Sequence, residues 1–164
     1  MELDSKVVHL LLGNNLGDRM SILNAAIVKI GEQIGTVFIK SSFYETAAWG
    51  REDQPSFLNI ALGVRTLLAP LQVLDAALSI EEELGRIRHE KWGARLIDID
   101  VLLYEDEIVN LAEKLTLPHP EMHKRKFVLQ PMAEIAPDVV HPIFKKTIFE
   151  LFKKLNDDLT VLKI

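Results

Sequence analysis

The 164-residue sequence contains no cysteine, which excludes a disulfide framework and a thiolate metal site and makes a reducing, cytoplasmic setting the expectation. It has no apolar run of membrane-spanning length. The opening MELDSKVVHLLLG places two acids ahead of a short hydrophobic stretch, the reverse of the basic start of a secretory signal. A soluble, unexported protein is expected. A basic surface is missing too: the formal net charge is −5, whereas a protein that coats nucleic acid needs an excess of Lys and Arg to neutralise phosphates. Any polyanion site must therefore be local. Repeats, linkers and low-complexity segments are absent, and 48% hydrophobic residues over this length suit one domain spanning 1–164.

What is present is a readable order of elements. Val7 to Leu12 is a short Val/Leu-rich run stopping at Gly13-Asn14-Asn15, the pattern of a buried strand ending in a turn. After Gly17-Asp18, apolar residues recur at Ile22, Leu23, Ala26, Ile27, Ile30 and Ile34, which predicts a helix capped by Asp18 and terminated by Gly35. Thr36 to Thr46 and Phe57 to Leu67 are β-branched and aromatic, separated by a turn-prone stretch with Gly50, Asp53 and Pro55. Pro70 opens a second helical pattern that Gly85 should close. Leu96 to Tyr104 alternates, with Ile97, Ile99, Val101 and Leu103 on one face and Asp98, Asp100, Leu102 and Tyr104 on the other. The order βαββαβ predicts an α+β, ferredoxin-like antiparallel sheet with both helices on one face and the other face free for a site. C-terminal additions follow: a helix from Pro120 to Ile135 kinked or interrupted at Pro131, and a short amphipathic helix from Thr147 to Leu155.

Asp98 and Asp100 are the most informative residues. Two-residue spacing on a strand puts both carboxylates on one face, within roughly 7 Å of each other. Asp is disfavoured in strands and like charges on one face repel, so the pair invites a cation; the bland alternative is a solvated edge strand. Oxygen ligands in this number favour Mg²⁺ with substrate phosphates completing the octahedron. Immediately upstream, Arg86, Arg88, His89, Lys91 and Arg95 crowd positive charge beside Trp92. A metal with arginines is the usual clamp on a transferring phosphoryl group, and the adjacency of the two features outweighs the reading of this run as a solvated loop. The segment Gly13 to Asp18 lacks both the P-loop ending and the dinucleotide spacing, so alone it marks only a turn. His119 between two prolines, with His123, Lys124 and Arg125 behind it, could donate to nucleotide phosphates or ribose, though a lone His in a turn is more often structural. Phe57 and Phe127 cannot be separated from core aromatics by periodicity.

Taken together, GNNLGDR at 13–19, DQPSFLN at 53–59, GRIR at 85–88, WGARLIDIDVLLY at 92–104, LPHPEMHKRKFVL at 117–129 and EIAPD at 134–138 resemble the 6-hydroxymethyl-7,8-dihydropterin pyrophosphokinase family. The run from Trp92 to Asp100 carries most of the specificity, with Ala94 where the family usually has Pro. The resemblance implies transfer of the β,γ-diphosphate of ATP to the hydroxymethyl oxygen of 6-hydroxymethyl-7,8-dihydropterin, releasing AMP, as a step of folate synthesis. It also implies two Mg²⁺ ions held by Asp98 and Asp100. Arg86, Arg88 and Arg95 would contact phosphates; Glu81, Val101, His119 and Arg125 would complete the ATP site. Phe57 and Phe127 would sandwich the pterin, Asn59 and the backbone around Thr46, Ala47, Ala48 and Trp49 would read its edge, Asp98 would border it, and Trp92 would close over both ligands with the segment 85–93. A monomer with no nucleic-acid or membrane partner is expected. Phe57 for a frequent Tyr, Leu78 for Gln and Pro120 for an aromatic are departures from the commoner pattern.

Two other readings suit the same residues. Another two-metal enzyme on this sheet, such as a nucleotidyltransferase, would release pyrophosphate instead of AMP. A non-catalytic binding module would bind ligand without turnover.

Overall fold

Strand β1 (Lys6–Asn14) is buried from its third residue onward, because it lies between two partners: β4 (Phe57–Thr66) and β5 (Asp98–Tyr104), both antiparallel to it. The computed structural model describes residues 4–46, 56–88, 96–157 and 159–164, with nothing stated of the side chains of 86–88. The expected second strand is broken into β2 (Gly35–Lys40) and β3 (Tyr44–Thr46), which pair in succession with β4. The sheet runs β5-β1-β4-β3, with β2 also on β4, which is the ferredoxin-like βαββαβ arrangement. Helices α1 (Arg19–Gln33) and α2 (Pro70–Arg88) cover one face, and their apolar stripes meet Val8, Leu10, Leu12, Ile60 and Leu62 in the larger core. Asp18 caps α1 as expected, its carboxylate accepting from the Ser21 backbone N–H at 3.2 Å.

Several expectations need correction. Helix α1 ends just before Gly35, as expected, but the glycine does not adopt a positive-φ cap; it opens β2, and a Cβ there would lie 2.0 Å from the Arg65 carbonyl oxygen of β4. Close approach of two backbones, not a helix end, requires the glycine. Helix α2 continues through Gly85 to Arg88, because glycine weakens a helix without stopping it when good helix formers flank it. In β5 the register against β1 shifts between His9 and Leu10. That bulge exchanges the faces of the last two residues, so Tyr104 joins the α1/α2 core while Leu102 and Leu103 both join the opposite cluster.

The second sheet face is not left open. Leu11, Ala61, Leu102 and Leu103 make it apolar, and α3 (Lys126–Ile135) covers it with Val128, Leu129 and Met132. The break in the expected long helix falls at Arg125, whose extended backbone separates a 3-10 turn (Met122–Lys124) from α3; Pro131 lies within α3. Helix α4 (Ile148–Lys154) begins with a Thr147/Glu150 capping box. The hairpin β6 (Val109–Leu111) and β7 (Leu115–Leu117), and the final strand β8 (Val161–Lys163) on β3, were not anticipated. Among the described residues no helix is long and apolar enough to cross a membrane.

His141 is buried, its Nδ1 accepts from the backbone N–H groups of Ile143 and Phe144, and its ring stacks on Phe144 at 4.5 Å. Burial, reinforced by nearby His123, pushes its pKa down from 6.5 to about 4. Between those values the unfolded chain binds a proton that the folded ring refuses, so stability falls as pH drops through this window and levels off below it. In His141→Asn the amide oxygen can take over the acceptor role of Nδ1. That variant should lose roughly 2 kcal/mol less stability than the parent between about pH 7 and about pH 4.5. Urea unfolding at the two pH values checks this; equal losses would contradict it.

Candidate active site

The site forms where the central strands end. Across the sheet, Gly13 of β1 lies opposite Asn59 of β4 on one side and Asp98 of β5 on the other. Leu11 is likewise flanked by Ala61 and Asp100. A Cβ on Gly13 would sit 2.3 Å from Asn59 Oδ1, so the glycine is what lets the buried Asn59 amide lie over β1. Sequence reading assigned Gly13 only to a turn; its position one strand away from both Asn59 and Asp98 is visible only once the register is known.

Leu11, Gly13, Asn59, Asp98 and Asp100 line a cavity of about 240 Å³. Leu11, Gly13 and the carboxylate pair form part of its wall, Phe57 and Thr46 come from paired positions on β4 and β3, and Arg125 and Phe127 come from the start of α3. Leu159, from the segment before β8, completes the lining. The Arg125 guanidinium carbon is 5.8 Å from the Phe127 ring centroid. Thr46 is buried, and its hydroxyl has no hydrogen-bond partner among the described residues. A buried polar group of this kind on a cavity wall suits a polar ligand.

A network holds the β3 and β4 ends in register. Arg19, the first residue of α1, donates to the Ser56 carbonyl at 2.9 Å and pairs with Glu45 at 3.0 Å, while the Ser56 hydroxyl donates to Glu45 at 2.6 Å. The Ser56 hydroxyl, then Arg19, hold the Glu45 carboxyl below its ordinary range. Thr46 and Phe57, which face each other across β3 and β4, are positioned by these contacts on their neighbours.

A second cleft, of about 230 Å³, shares Asp100 with the first. Its walls include Leu74, Val101, Lys114, Thr116, His119 and Pro120. The His119 backbone N–H donates to the Leu102 carbonyl at 2.9 Å, tying this loop to β5. Its Nδ1 accepts from the Glu121 N–H at 3.2 Å, so the neutral ring carries its proton on Nε2. Burial lowers the His119 pKa, with Asp100 the largest opposing charge. Glu81 reaches from α2 to β5, where its carboxylate accepts the Ile99 backbone N–H at 2.7 Å, between the two aspartates in sequence.

Most of the expected residues therefore converge: Thr46, Phe57, Asn59, Asp98, Asp100 and Phe127 on one cavity, Val101 and His119 on the adjoining cleft; Arg125, expected to complete the ATP site, instead lines the first cavity. Ala47, Ala48, Trp49, Trp92 and Arg95 lie outside the described residues, as do the side chains of Arg86 and Arg88 and most of the segment expected to close. Lys114 and Thr116 were missed because nothing in their local pattern connects the β6–β7 hairpin to β5. In chemical terms, an aromatic-walled slot with buried polar groups adjoins a polar cleft, and an acidic strand face separates them.

The family model for 7,8-dihydro-6-hydroxymethylpterin-pyrophosphokinase (HPPK) matches residues 9–137. A 2-amino-4-hydroxy-6-hydroxymethyldihydropteridine pyrophosphokinase of Aquifex aeolicus is 45% identical over 149 residues, covering 91% of each chain. The protein of the same name from Haemophilus influenzae is 41% identical over 150 residues, covering 91% of this chain and 92% of the relative. Among solved structures, wild-type Plasmodium falciparum HPPK-DHPS superposes with a TM-score of 0.73 at 18% identity, over 92% of this chain but only 41% of that longer one. This likeness bears on the fold alone.

Proposed function

The chain belongs to the 7,8-dihydro-6-hydroxymethylpterin-pyrophosphokinase family, and from that premise we propose that the aromatic-walled cavity holds the pterin and the adjoining cleft holds ATP. The reaction is transfer of the diphosphate of ATP to 6-hydroxymethyl-7,8-dihydropterin, giving the pterin diphosphate and AMP, a step of folate biosynthesis. The observation that carries the placement is that Asp100 lines both cavities, so ligands in the two spaces meet at the carboxylates.

Phe57 and Phe127 offer flat apolar surface to the pterin ring, and Asn59 with the Thr46 hydroxyl reads its polar edge. The donor set of Asp98 and Asp100, two hard oxygens on one strand face, fits Mg²⁺, which takes one or two carboxylates and keeps its other positions for water and phosphate. Two such ions are proposed; when bound they neutralise charge developing on the phosphates. The chain's own contribution is placement. His119 presents an Nε2–H donor to the ATP cleft, Val101 an apolar wall, and Glu81 stands at the β5 edge beside it. Arg125 supplies positive charge at the pterin cavity. Arg86, Arg88 and Arg95 are assigned to the triphosphate, and Trp92 with Ala47, Ala48 and Trp49 to the ligand borders, on the family resemblance. A single-domain, cytoplasmic monomer completes the proposal.

Gly13→Ala tests the placement. The new methyl must displace the Asn59 amide, a movable side-chain end, so the fold should survive while pterin recognition suffers. Pterin affinity should fall by about tenfold or more, the scale of one lost hydrogen bond in a buried site, with affinity for a non-hydrolysable ATP analogue nearly unchanged. Calorimetry on this variant and on Asn59→Ala measures both. Equal weakening of the two ligands would overturn the assignment of the cavity.

A further inference from the structure

Leu159 lines the pterin cavity although it lies well beyond residues 9–137, the stretch the family model matches. One carboxylate places it. Asp157 accepts from the Leu159 backbone N–H at 2.8 Å through Oδ1, and from the Lys126 backbone N–H at 3.1 Å through Oδ2. Lys126 is the first residue of α3, and its neighbours Arg125 and Phe127 both line the cavity. The residue at the usual capping position, Arg125, makes no side-chain cap bond, so Asp157 caps α3 from a segment distant in sequence. On the other side of Leu159, Val161 pairs with Thr46, a further cavity residue, as β8 joins β3. The segment is thus tied on one side to the base of Phe127 and on the other to Thr46, with Leu159 between.

We propose that Leu159 is a specificity-determining residue for the pterin, an apolar wall that limits the size of ring the cavity accepts, and that Asp157 is the positioning residue that holds Leu159 and the start of α3 together. The proposal rests on the cavity being the pterin site. A γ-branched side chain on the wall excludes extra bulk, and its removal opens room that an added alkyl group can fill. Discrimination of this kind in an apolar pocket is worth on the order of ten- to a hundredfold per group. Asp157 acts at one remove: without its carboxylate, the Leu159 and Lys126 N–H groups lose their common acceptor and the wall can shift against Phe127.

Steady-state kinetics on the full chain test this with 6-hydroxymethyl-7,8-dihydropterin and a ring-alkylated analogue. Leu159→Ala should raise the KM for the natural pterin by about fivefold to tenfold, leave kcat and the KM for ATP within about twofold, and improve the alkylated-to-natural ratio of kcat/KM by about tenfold. Leu159→Met, close in volume, should restore the parent values. Asp157→Ala should raise the pterin KM in the same direction, and the double variant with Leu159→Ala should add little more, because both act on one wall. An unchanged pterin KM in Leu159→Ala, or a parallel rise for ATP, would overturn the proposal even if Asp157→Ala proved too unstable to assay. Failure of the parent chain to bind pterin would instead overturn the functional reading on which it rests.

Discussion

Asp98→Ala and Asp100→Ala should each lower kcat on the order of a thousandfold, with the fold preserved. Both residues lie on β5, where their partners across the sheet are Gly13 and Leu11 of β1, and neither contributes to an apolar cluster. Their replacement leaves the core intact and relieves repulsion between like charges on one face. On the proposed mechanism the loss falls on catalysis, because the carboxylates would hold the cations that offset charge on the transferring diphosphate. Removing one well-placed electrostatic contributor of this kind typically costs two to three orders of magnitude, about 3–4 kcal/mol. Asn in place of either Asp keeps the shape and one oxygen donor but not the charge, and should recover little. Circular dichroism and thermal unfolding should be near those of the parent. A kcat within about fivefold of normal in either alanine variant would remove the carboxylates from the mechanism.

Phe127→Ala should weaken pterin binding by about thirtyfold to 150-fold, from roughly 2–3 kcal/mol of lost apolar contact and ring stacking, with affinity for an ATP analogue changed far less. Phe127 stands at the second position of α3 and packs in part against the cluster under that helix, so some stability will be lost as well. Phe127→Leu separates the two effects: it restores packing volume but not a flat face. Its stability should return toward the parent value while pterin binding remains impaired. Full recovery of pterin affinity in the leucine variant would show that Phe127 supports the wall instead of stacking on the ring.

Strands β1, β4 and β5, the first two helices and the acidic pair were legible because their signals are local. Alternation placed Asp98 and Asp100 on one face of β5, and a capping Asp18 marked the start of α1. What local pattern could not carry was the reason for a residue. Gly35 was assigned to a helix end, yet it answers to the Arg65 carbonyl on another strand; Gly85 was assigned to a stop, yet α2 passes through it. The β5 bulge is fixed by pairing with β1, so the exchange of faces at Leu103 and Tyr104 is a tertiary effect. The expectation of a free second sheet face failed because Leu11 and Ala61, on strands buried on both sides, read the same whichever layer covers them. In the site, Thr46, Phe57 and Phe127 needed the family resemblance to be singled out from core residues, while Gly13, Lys114 and Leu159 entered only when register and the C-terminal segment were known.

The most direct test follows the phosphates. Purified chain is incubated with ATP, Mg²⁺ and 6-hydroxymethyl-7,8-dihydropterin, and all nucleotide and phosphate products are quantified. Transfer of a diphosphate at the junction marked by Asp100 predicts one AMP for each pterin diphosphate formed, with no accumulation of ADP or free pyrophosphate. Release of pyrophosphate with a nucleotidylated product, formation of ADP, or ligand binding without any AMP would contradict it.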